Sequence, residues 1–168
     1  NDLPSLDPNR RVLGIIRPTA ECIGSITQSR HVGIVATEGT IKSESYVLEI
    51  NKLFPDITVT GEPCPMWVPL VENNEYDGPG ADYFVKKRIE NLMIRDPQID
   101  SIILGCTHYP LIKPLLQDVV GPGVRLVDSA ITVAEQAAQT LNALGIANDG
   151  ECLSTYRYTV TDIPLRFQ

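Results

Sequence analysis

The sequence predicts an α/β fold: an open parallel β-sheet with helices on both faces. Short apolar runs typical of buried strands alternate with helix-like segments from residue 11 to residue 145. That alternation is the pattern of parallel strands joined by crossover helices. The length of 168 residues suits one domain with a real core. Hydrophobic residues make up 43% of the chain and charged residues 21%, which is the balance of an ordinary globular protein.

Six segments are predicted to form strands. Each is a short apolar or alternating run bounded by polar or turn residues. The segments are 11–16, 31–36, 57–61, 99–104, 124–127 and 155–161. Arg17-Pro18 is expected to close the first strand, and residues 1–10 before it are polar and proline-rich, as in a connector.

Five segments with helical periodicity are predicted between and after these strands. They are 19–29, 41–54, 81–95, about 111–120 and 132–144. Thr40 is expected to cap the second helix, and Gly145 is expected to end the last. Three prolines in residues 62–72 favour an irregular loop anchored by Trp67.

Charge and composition exclude several classes of function. The net charge of −7 argues against nucleic-acid binding, which needs a basic surface. The basic triplet Lys86-Lys87-Arg88 is expected to be the solvated face of its helix. No apolar run approaches the length of about 20 residues that a membrane span needs, and no secretory signal is predicted. The expected compartment is therefore the cytoplasm, where thiols stay reduced.

Metal and cofactor motifs are not predicted. The four cysteines form no C-x-x-C pair, and His31 and His108 lack the spacing of metal ligands. The chain has neither a G-x-G-x-x-G nor a G-x-x-x-x-G-K motif, so nucleotide chemistry has no support.

The segment from Ile102 to Pro110 carries the strongest functional signal. A buried strand ends at Gly105, and Cys106, Thr107 and His108 follow before the proline that should open a helix. Such a turn lies at the carboxyl edge of the sheet, where open α/β folds bind ligands. The imidazole and the positive end of the helix dipole are both expected to favour the Cys106 thiolate. A buried structural cysteine is the alternative.

Two further polar positions are weaker candidates. Thr37 and Thr40 lie in a turn between a predicted strand and helix, where they would either cap the helix or help hold a carboxylate. Glu72 ends the proline-rich segment, and as a single residue it fits an ordinary solvated acid better than a site residue.

Several motifs together resemble bacterial glutamate racemases over nearly the whole chain. Gly105-Cys106-Thr107-His108-Tyr109-Pro110 resembles the second catalytic motif of that family. Other segments that resemble the family in the expected order are Thr37 to Ile41, Cys64-Pro65, Val68 to Glu72, Val127 to Ser129 and the closing Tyr-Thr-Val-Thr run. Aspartate racemases usually carry Glu where His108 stands, which favours glutamate as the small-molecule substrate.

The resemblance implies a cofactor-independent racemisation by two cysteines on opposite faces of glutamate, with D-glutamate supplied to peptidoglycan. Cys106 would be the second of these cysteines, and His108 would help to set its protonation state. Glu72 matches a family acid near this cysteine. Thr107 and His108 would contact the substrate, and Thr37 and Thr40 match positions that line its pocket.

The chain departs from this family in one respect. Full-length members carry an earlier lobe with the first catalytic cysteine in a Cys-Asn-Thr motif, and no such motif is present. Residues 11–128 are therefore expected to be the second lobe, and residues 129–168 a helix and strand that pack on the first lobe or on another chain. This chain alone is expected to be inactive, and a homodimer is one expected assembly. The alternatives are a half-domain that binds an acidic ligand or a protein partner, and an aspartate racemase-like isomerase.

Overall fold

A computed structural model describes residues 14–148 and 150 of the chain. The helices are α1 (Ile16–Ile26), α2 (Glu38–Lys42), α3 (Ser45–Leu53), α4 (Trp67–Glu72), α5 (Pro79–Arg95), α6 (Lys113–Val120) and α7 (Ser129–Ala143). The strands are β1 (His31–Ala36), β2 (Thr58–Pro63), β3 (Ser101–Leu104) and β4 (Arg125–Asp128). A 3₁₀ helix, Tyr109–Ile112, precedes α6. The predicted connector at 1–10 and the predicted strand at 155–161 lie outside the described residues.

The four strands form one parallel sheet in the order β2-β1-β3-β4. The next strand along the chain after β1, which is β2, lies on one side of β1, and the following strand, β3, lies on the other side. Val35 lies opposite Glu62 of β2 and Leu104 of β3, so these three strands end at nearly the same level. The predicted strands at 31–36, 57–61, 99–104 and 124–127 are confirmed, with shifts of one or two residues at most ends.

Helices cover both faces of the sheet, as the sequence predicted. One hydrophobic cluster packs α1 and α3 on the first face, with Ile23, Ile34 and Ile50 at its centre. The other packs α4, α5 and α6 on the opposite face, with Trp67 and Leu92 among its fully buried side chains. The two central strands, β1 and β3, are therefore buried on both sides, which explains their nearly continuous apolar runs.

The predicted strand at 11–16 is wrong where the structure describes it. Gly14 and Ile15 are not in a strand, and α1 begins at Ile16 and continues through Pro18. Proline in the first turn of a helix removes no helical hydrogen bond, because the amide hydrogen that it lacks would have no partner within the helix there. Ile16, the last residue of the predicted strand, is thus the first residue of an amphipathic helix.

Gly24, which weakened the prediction of that helix, has a packing role. A Cβ atom added at Gly24 would lie 2.3 Å from Cζ of the Phe54 ring. Glycine therefore lets α1 approach the end of α3 closely, and this contact outweighs the usual cost of glycine inside a helix.

The predicted helix at 41–54 is two helices, and its cap is Thr37 instead of Thr40. The Thr37 side chain accepts a hydrogen bond from the Thr40 amide. The chain then breaks at Glu44, whose φ of 53° lies in the left-handed region. Ser43 donates its hydroxyl hydrogen to the Thr40 carbonyl at 2.8 Å, a local bond of the kind that competes with helix continuation.

The loop predicted at 62–72 is partly regular. Strand β2 continues to Pro63, which the outermost position of that strand tolerates, and α4 then carries Pro69 in its first turn. The prediction of Trp67 as the anchor is confirmed: Trp67 is fully buried, and its ring centroid lies 4.9 Å from that of Tyr109 in an edge-to-face contact.

Helix α5 confirms the prediction at 81–95 and begins two residues earlier. Its basic triplet does not face solvent as one group. Lys86 and Lys87 are exposed, but Arg88 binds Glu62, which is only 4% exposed, at 3.1 Å. Arg95 binds the other carboxylate oxygen of Glu62. A buried carboxylate needs such partners, and sequence periodicity alone does not reveal them.

The chain divides into two compact units, residues 1–137 and 138–168. In the second unit the structure describes residues 138–148 and 150, which hold the end of α7 and its cap. Gly145 has a φ of 66°, and the amides of Gly145 and Ile146 bond back to the carbonyls of Asn142 and Leu141. The predicted stop at Gly145 is confirmed, because glycine adopts this left-handed conformation without strain.

Asp100 organises the end of the sheet opposite to the candidate site. Its carboxylate accepts hydrogen bonds of 2.7 Å from the Thr27 hydroxyl and from the amides of Gln28 and Ser29, and one of 2.9 Å from the Ser101 hydroxyl. Desolvation by itself would raise the pKa of Asp100, but these bonds outweigh it and lower that pKa to about 2. The ionised form is therefore bound more tightly in the folded state than in the unfolded state.

We expect Asp100→Asn to lower the free energy of unfolding at pH 7 by about 1–2 kcal/mol, because an amide cannot accept all four bonds. A lowered folded-state pKa contributes stability above the unfolded pKa of about 4 and loses it as the pH falls toward 2. The variant should therefore lose less stability than the wild type between pH 4 and pH 2. Urea unfolding across this range measures both effects. Asp118→Asn, at an exposed aspartate, is the control, and equal acid sensitivity of all three proteins would contradict the role of Asp100.

Candidate active site

The candidate site lies at the carboxyl edge of the sheet, where the chain order reverses between β1 and β3. In open α/β sheets, this is the crevice where ligands bind. Strand β1 delivers Thr37 to this edge, and β3 delivers Gly105 and Cys106. The Gly105 amide donates to the Val35 carbonyl at 2.9 Å, which extends the pairing of the two strands to the edge itself.

Cys106, His108 and Glu72 form a continuous chain of polar contacts. The Cys106 sulfur lies 3.7 Å from Nδ1 of His108. The other ring nitrogen, Nε2, is hydrogen-bonded to Oε1 of Glu72. Cys106 and His108 are half-buried, and the Glu72 side chain is 63% exposed. The structure thus brings together three residues that lie on two separate segments of the sequence.

This arrangement can move a proton to and from the thiol. An ionised carboxylate only accepts hydrogen bonds, so Glu72 fixes a hydrogen on Nε2 of His108. In the neutral imidazole, Nδ1 then carries a lone pair that faces the Cys106 sulfur. His108 can accept the thiol proton through Nδ1 and hold it as an imidazolium ion between the thiolate and the carboxylate. The same geometry returns the proton by the reverse path.

The helix dipole expected at Cys106 does not reach it. The segment after the motif is the 3₁₀ helix Tyr109–Ile112, and α6 begins only at Lys113. The dipole effect falls off within the first turn of a helix, so the imidazole of His108 is the expected polar group that still lies beside the sulfur. Pro110 does open a helical segment, as predicted, but the segment is the short 3₁₀ helix.

A buried network that the sequence did not single out supports the Cys106 turn. The Tyr46 hydroxyl and the Ser129 hydroxyl lie 3.3 Å apart, and Ser129 donates to the Leu104 carbonyl at 3.1 Å. A Cβ at Gly105 would lie 3.4 Å from the Tyr46 ring and 3.1 Å from Cβ of Ala36, so the turn passes close to both. Burial raises the pKa of Tyr46, so it stays a neutral hydroxyl. The sequence contained one indication of this network, because Ser129 belongs to the Val127 to Ser129 segment noted in the sequence analysis.

Thr37 and Thr40 form a separate pair. Their hydroxyl oxygens lie 3.1 Å apart, and Thr37 also caps α2. Both side chains are half-buried. Thr40 lines a depression of about 230 Å³ together with Tyr46 and Val59. Capping, one of the two alternatives for this turn, is therefore established for Thr37, and both threonines stay near the edge that carries Cys106.

An open depression of about 420 Å³ lies beside the His108 imidazole. Val71, Glu72, Thr107, His108 and Leu111 line it. Thr107 is exposed, and its hydroxyl lies 3.5 Å from Nδ1 of His108. A small polar molecule placed here would meet a hydroxyl, an imidazole and a carboxylate with little apolar enclosure.

The two other described cysteines differ from Cys106. Cys64 is fully buried, and desolvation raises its pKa far above the usual range of a thiol. Cys22 lies on α1 and donates to the Thr19 carbonyl at 3.2 Å, and partial burial raises its pKa as well. Both are therefore poor thiolates. Cys152 lies outside the described residues.

The described residues offer no cation site and no bilayer span. No group of three or more His, Cys, Asp or Glu side chains in residues 14–148 is arranged to hold a metal ion. In the same part of the chain, no helix combines the length and the apolar character that are needed to cross a bilayer.

Comparison with known proteins finds relatives that match most of this chain. A glutamate racemase from Lactiplantibacillus plantarum is 42% identical over 147 residues, which cover 88% of this chain and 52% of that protein. A glutamate racemase from Syntrophus aciditrophicus is 38% identical over 157 residues, which cover 94% of this chain and 57% of that protein. The chain thus spans little more than half the length of these relatives.

Solved structures match the same fold. A crystal structure of glutamate racemase from Francisella tularensis in complex with D-glutamate superposes with a TM-score of 0.85 and 29% identity, over 98% of this chain and 59% of that one. A glutamate racemase from Bacillus anthracis gives a TM-score of 0.79 and 31% identity, over 88% of this chain and 55% of that one. The profile described as Asp/Glu/Hydantoin racemase matches residues 11–137. The chain therefore belongs to the Asp/Glu/hydantoin racemase family.

Proposed function

We propose that the protein is a glutamate racemase, in which Cys106 is one of two thiols that interconvert L- and D-glutamate without a cofactor. The observation that carries the proposal is the contact chain from Cys106 through His108 to Glu72, placed at the carboxyl edge of a racemase-family sheet. The relatives named glutamate racemase support glutamate as the substrate.

The α-hydrogen of glutamate is a very weak acid, so its removal needs a base that is held in place and shielded from water. The Cys106 thiolate takes this hydrogen as a proton, and the bonding electrons stay on the substrate α-carbon. A second thiol on the opposite face donates a proton to that carbon, and the configuration inverts. A thiol suits both directions, because the same group serves as base for one enantiomer and as acid for the other.

The neighbouring side chains have distinct roles in this proposal. His108 accepts the Cys106 proton at Nδ1 before the thiolate takes the α-hydrogen, and Glu72 keeps the imidazole in the orientation that permits this. After turnover Cys106 holds the substrate proton, so the imidazolium releases its proton to solvent and the second thiolate regains one from solvent. Thr107 binds the substrate carboxylate or amine through its exposed hydroxyl, next to His108. Thr37 and Thr40 contact the substrate from the end of β1.

The second thiol is not one of the described cysteines in this proposal. Cys64 is fully buried, and Cys22 lies among the side chains that pack against the core on the α1 face of the sheet. We propose that an additional lobe supplies the opposing thiol, and that residues 129–168 pack on that lobe or on another chain. Leu141 and Leu144 of this segment are 43% and 39% exposed, which suits such a contact.

The proposed product is D-glutamate for peptidoglycan synthesis, and the proposed compartment is the cytoplasm. Aspartate is the competing substrate, because the family includes aspartate racemases.

The test is racemisation and α-hydrogen exchange in D₂O by the protein as its gene encodes it, beside the 168-residue chain alone. Circular dichroism follows inversion of each glutamate enantiomer, and proton NMR follows exchange. We expect the gene-encoded protein to invert glutamate at least 100-fold faster than aspartate, since a pocket built around polar substrate groups discriminates strongly. We expect the chain alone to invert neither. Faster inversion of aspartate would overturn the proposed substrate, and inversion at full rate by the chain alone would overturn the need for a second thiol.

A non-catalytic binding protein is the second candidate. It is favoured by the presence of only one accessible thiol at the sheet edge among the described residues, whereas inversion needs two acid/base groups. Such a protein would bind an acidic ligand or a protein partner without turnover. Glutamate binding by calorimetry, together with the absence of inversion by the gene-encoded protein, would support this candidate over the enzyme.

A further inference from the structure

We propose that Tyr109 is a positioning residue of the candidate site, whose hydroxyl fixes α4 so that Glu72 stays against the His108 imidazole. Tyr109 itself touches neither the substrate nor the reacting atoms in this proposal. The inference rests on the proposed function, because it concerns the contact chain of Cys106, His108 and Glu72, but its first test needs no racemisation.

The contact chain joins two segments that the fold must hold against each other. Cys106 and His108 follow β3, whereas Glu72 is the last residue of α4. The Glu72 side chain is largely exposed, so packing around the carboxylate does not hold it in place. The backbone of α4 must therefore set the position of Glu72 relative to the imidazole.

Helix α4 is short and weakly held at its amino end. It has six residues, and its N-cap residue is Met66, which lacks the hydroxyl, carboxylate or amide of a usual capping residue. At a rise of about 1.5 Å per residue the helix is about 9 Å long, so a tilt of about 10° at its start would move its end by about 1.5 Å. A displacement of that size breaks a hydrogen bond. The start of α4 thus needs support from outside the helix.

Tyr109 connects the start of α4 to the Cys106 turn. Its amide donates to the Cys106 carbonyl at 3.2 Å, which ties it to the turn. Its hydroxyl donates to the Cys64 carbonyl at 3.1 Å, three residues before α4 begins at Trp67. The Tyr109 ring also packs edge-to-face on Trp67. One buried side chain therefore spans the two segments that carry the contact chain.

The Cys64 peptide is where the chain passes from the sheet to α4. The Cys64 amide donates to the Ala36 carbonyl at the end of β1 at 2.8 Å, and the Trp67 amide donates to the Cys64 carbonyl at 3.3 Å. A carbonyl oxygen can accept two hydrogen bonds, so the Tyr109 hydroxyl supplements the long bond from Trp67. Tyr109 is fully buried and desolvation raises its pKa, so its hydroxyl stays a neutral donor.

Tyr109→Phe in the gene-encoded protein tests the proposal, because phenylalanine keeps the ring and removes only the hydroxyl. Iodoacetamide alkylates thiolates, so the alkylation rate of Cys106 at pH 7 reports how readily His108, paired with Glu72, takes the thiol proton. Mass spectrometry of the peptide that contains Cys106 measures this rate. We expect Glu72→Ala to lower it about tenfold and Tyr109→Phe to lower it about threefold to fivefold.

The double variant shows whether Tyr109 acts through Glu72. In that case Tyr109→Phe has no further effect once Glu72 is replaced, so the double variant should match Glu72→Ala within about twofold. Independent effects would multiply, and multiplied effects would overturn the proposal. So would a Tyr109→Phe protein whose Cys106 reacts as fast as that of the wild type, or faster.

Asp100→Asn is the matched control, because it also disturbs buried hydrogen bonds but lies at the opposite end of the sheet. It should lower the melting temperature at least as much as Tyr109→Phe and leave the alkylation rate of Cys106 within about twofold of that of the wild type. An equal loss of rate in Asp100→Asn would show that general destabilisation lowers the rate, and it would overturn the positioning role.

Racemisation kinetics separate this inference from the proposed function. If the wild type racemises glutamate, Tyr109→Phe should lower kcat by about the same factor as alkylation and leave KM within about twofold, because Tyr109 does not touch the substrate. A raised KM with unchanged kcat would contradict the positioning role. If the wild type does not racemise glutamate, the proposed function fails, and the alkylation rates still decide the role of Tyr109.

Discussion

Cys106→Ser is expected to lower the racemisation rate of the gene-encoded protein by about 10³-fold, in both directions, since a positioned acid or base contributes about 10²–10⁴-fold. A serine hydroxyl is a far weaker acid than a thiol, so it can neither form the base for one enantiomer nor donate readily to the other. The fold should persist, because Cys106 is only half-buried and serine is slightly smaller. Initial rates from each pure enantiomer, followed by circular dichroism, measure the effect.

Hydrogen exchange in D₂O makes this prediction sharper. In the proposed mechanism Cys106 takes the α-hydrogen of one enantiomer only, so the variant should lose exchange with that enantiomer and keep much of it with the other. Cys22→Ser is the control, because Cys22 lies on α1 and bonds the Thr19 carbonyl instead of an imidazole. Equal loss of exchange with both enantiomers would contradict the one-sided role of Cys106, and full activity of Cys106→Ser would contradict any acid/base role.

Trp67→Ala is expected to lower the free energy of unfolding by about 4 kcal/mol, which is near the upper range for removing a large aromatic side chain from a core. Trp67 is fully buried, packs edge-to-face on Tyr109 and donates its indole hydrogen to the Phe84 carbonyl at 3.4 Å. The Tyr109 amide in turn bonds the Cys106 carbonyl, so the cavity would also loosen the turn that carries the thiol. Urea unfolding followed by far-ultraviolet circular dichroism gives the change.

Two further variants distinguish the loss of aromatic packing at Trp67 from a general loss of stability on substitution. Trp67→Phe keeps an aromatic ring against Tyr109, so it should cost about 1–2 kcal/mol. Leu48→Ala, at a side chain that is 55% exposed, should cost less than about 0.5 kcal/mol. A cost of less than 1 kcal/mol for Trp67→Ala would show that α4 does not anchor this face of the sheet.

Local sequence patterns predicted helices and strands well where a single property, such as burial of a strand or a glycine cap, determined the structure. The run His31–Ala36 is apolar at nearly every position because β1 is buried on both faces, and its bounds were predicted without error. Gly145 ended α7 as expected, because only the local backbone conformation decides a glycine cap.

Prolines and hydroxyl residues produced several of the errors in the predicted elements. Pro18 and Pro69 were taken as signs of strand closure and of a loop, yet each lies in the first turn of a helix. The same residue type fits either context, and packing on the sheet selects one of them. Thr37 and Thr40 are both plausible caps by sequence, and the backbone direction at the end of β1 decided for Thr37.

The sequence by itself determined the fold class, the order of the four described strands along the chain and the position of Cys106 at the end of one of them. Those features follow from hydrophobic periodicity and turn chemistry, which act over a few residues. Only the tertiary structure decided that Glu72 meets His108, that Tyr46 and Ser129 lie beneath the Cys106 turn and that Arg88 binds Glu62. Each of these contacts joins residues from different elements, and the sheet order β2-β1-β3-β4, with β2 and β3 on opposite sides of β1, brings those elements together.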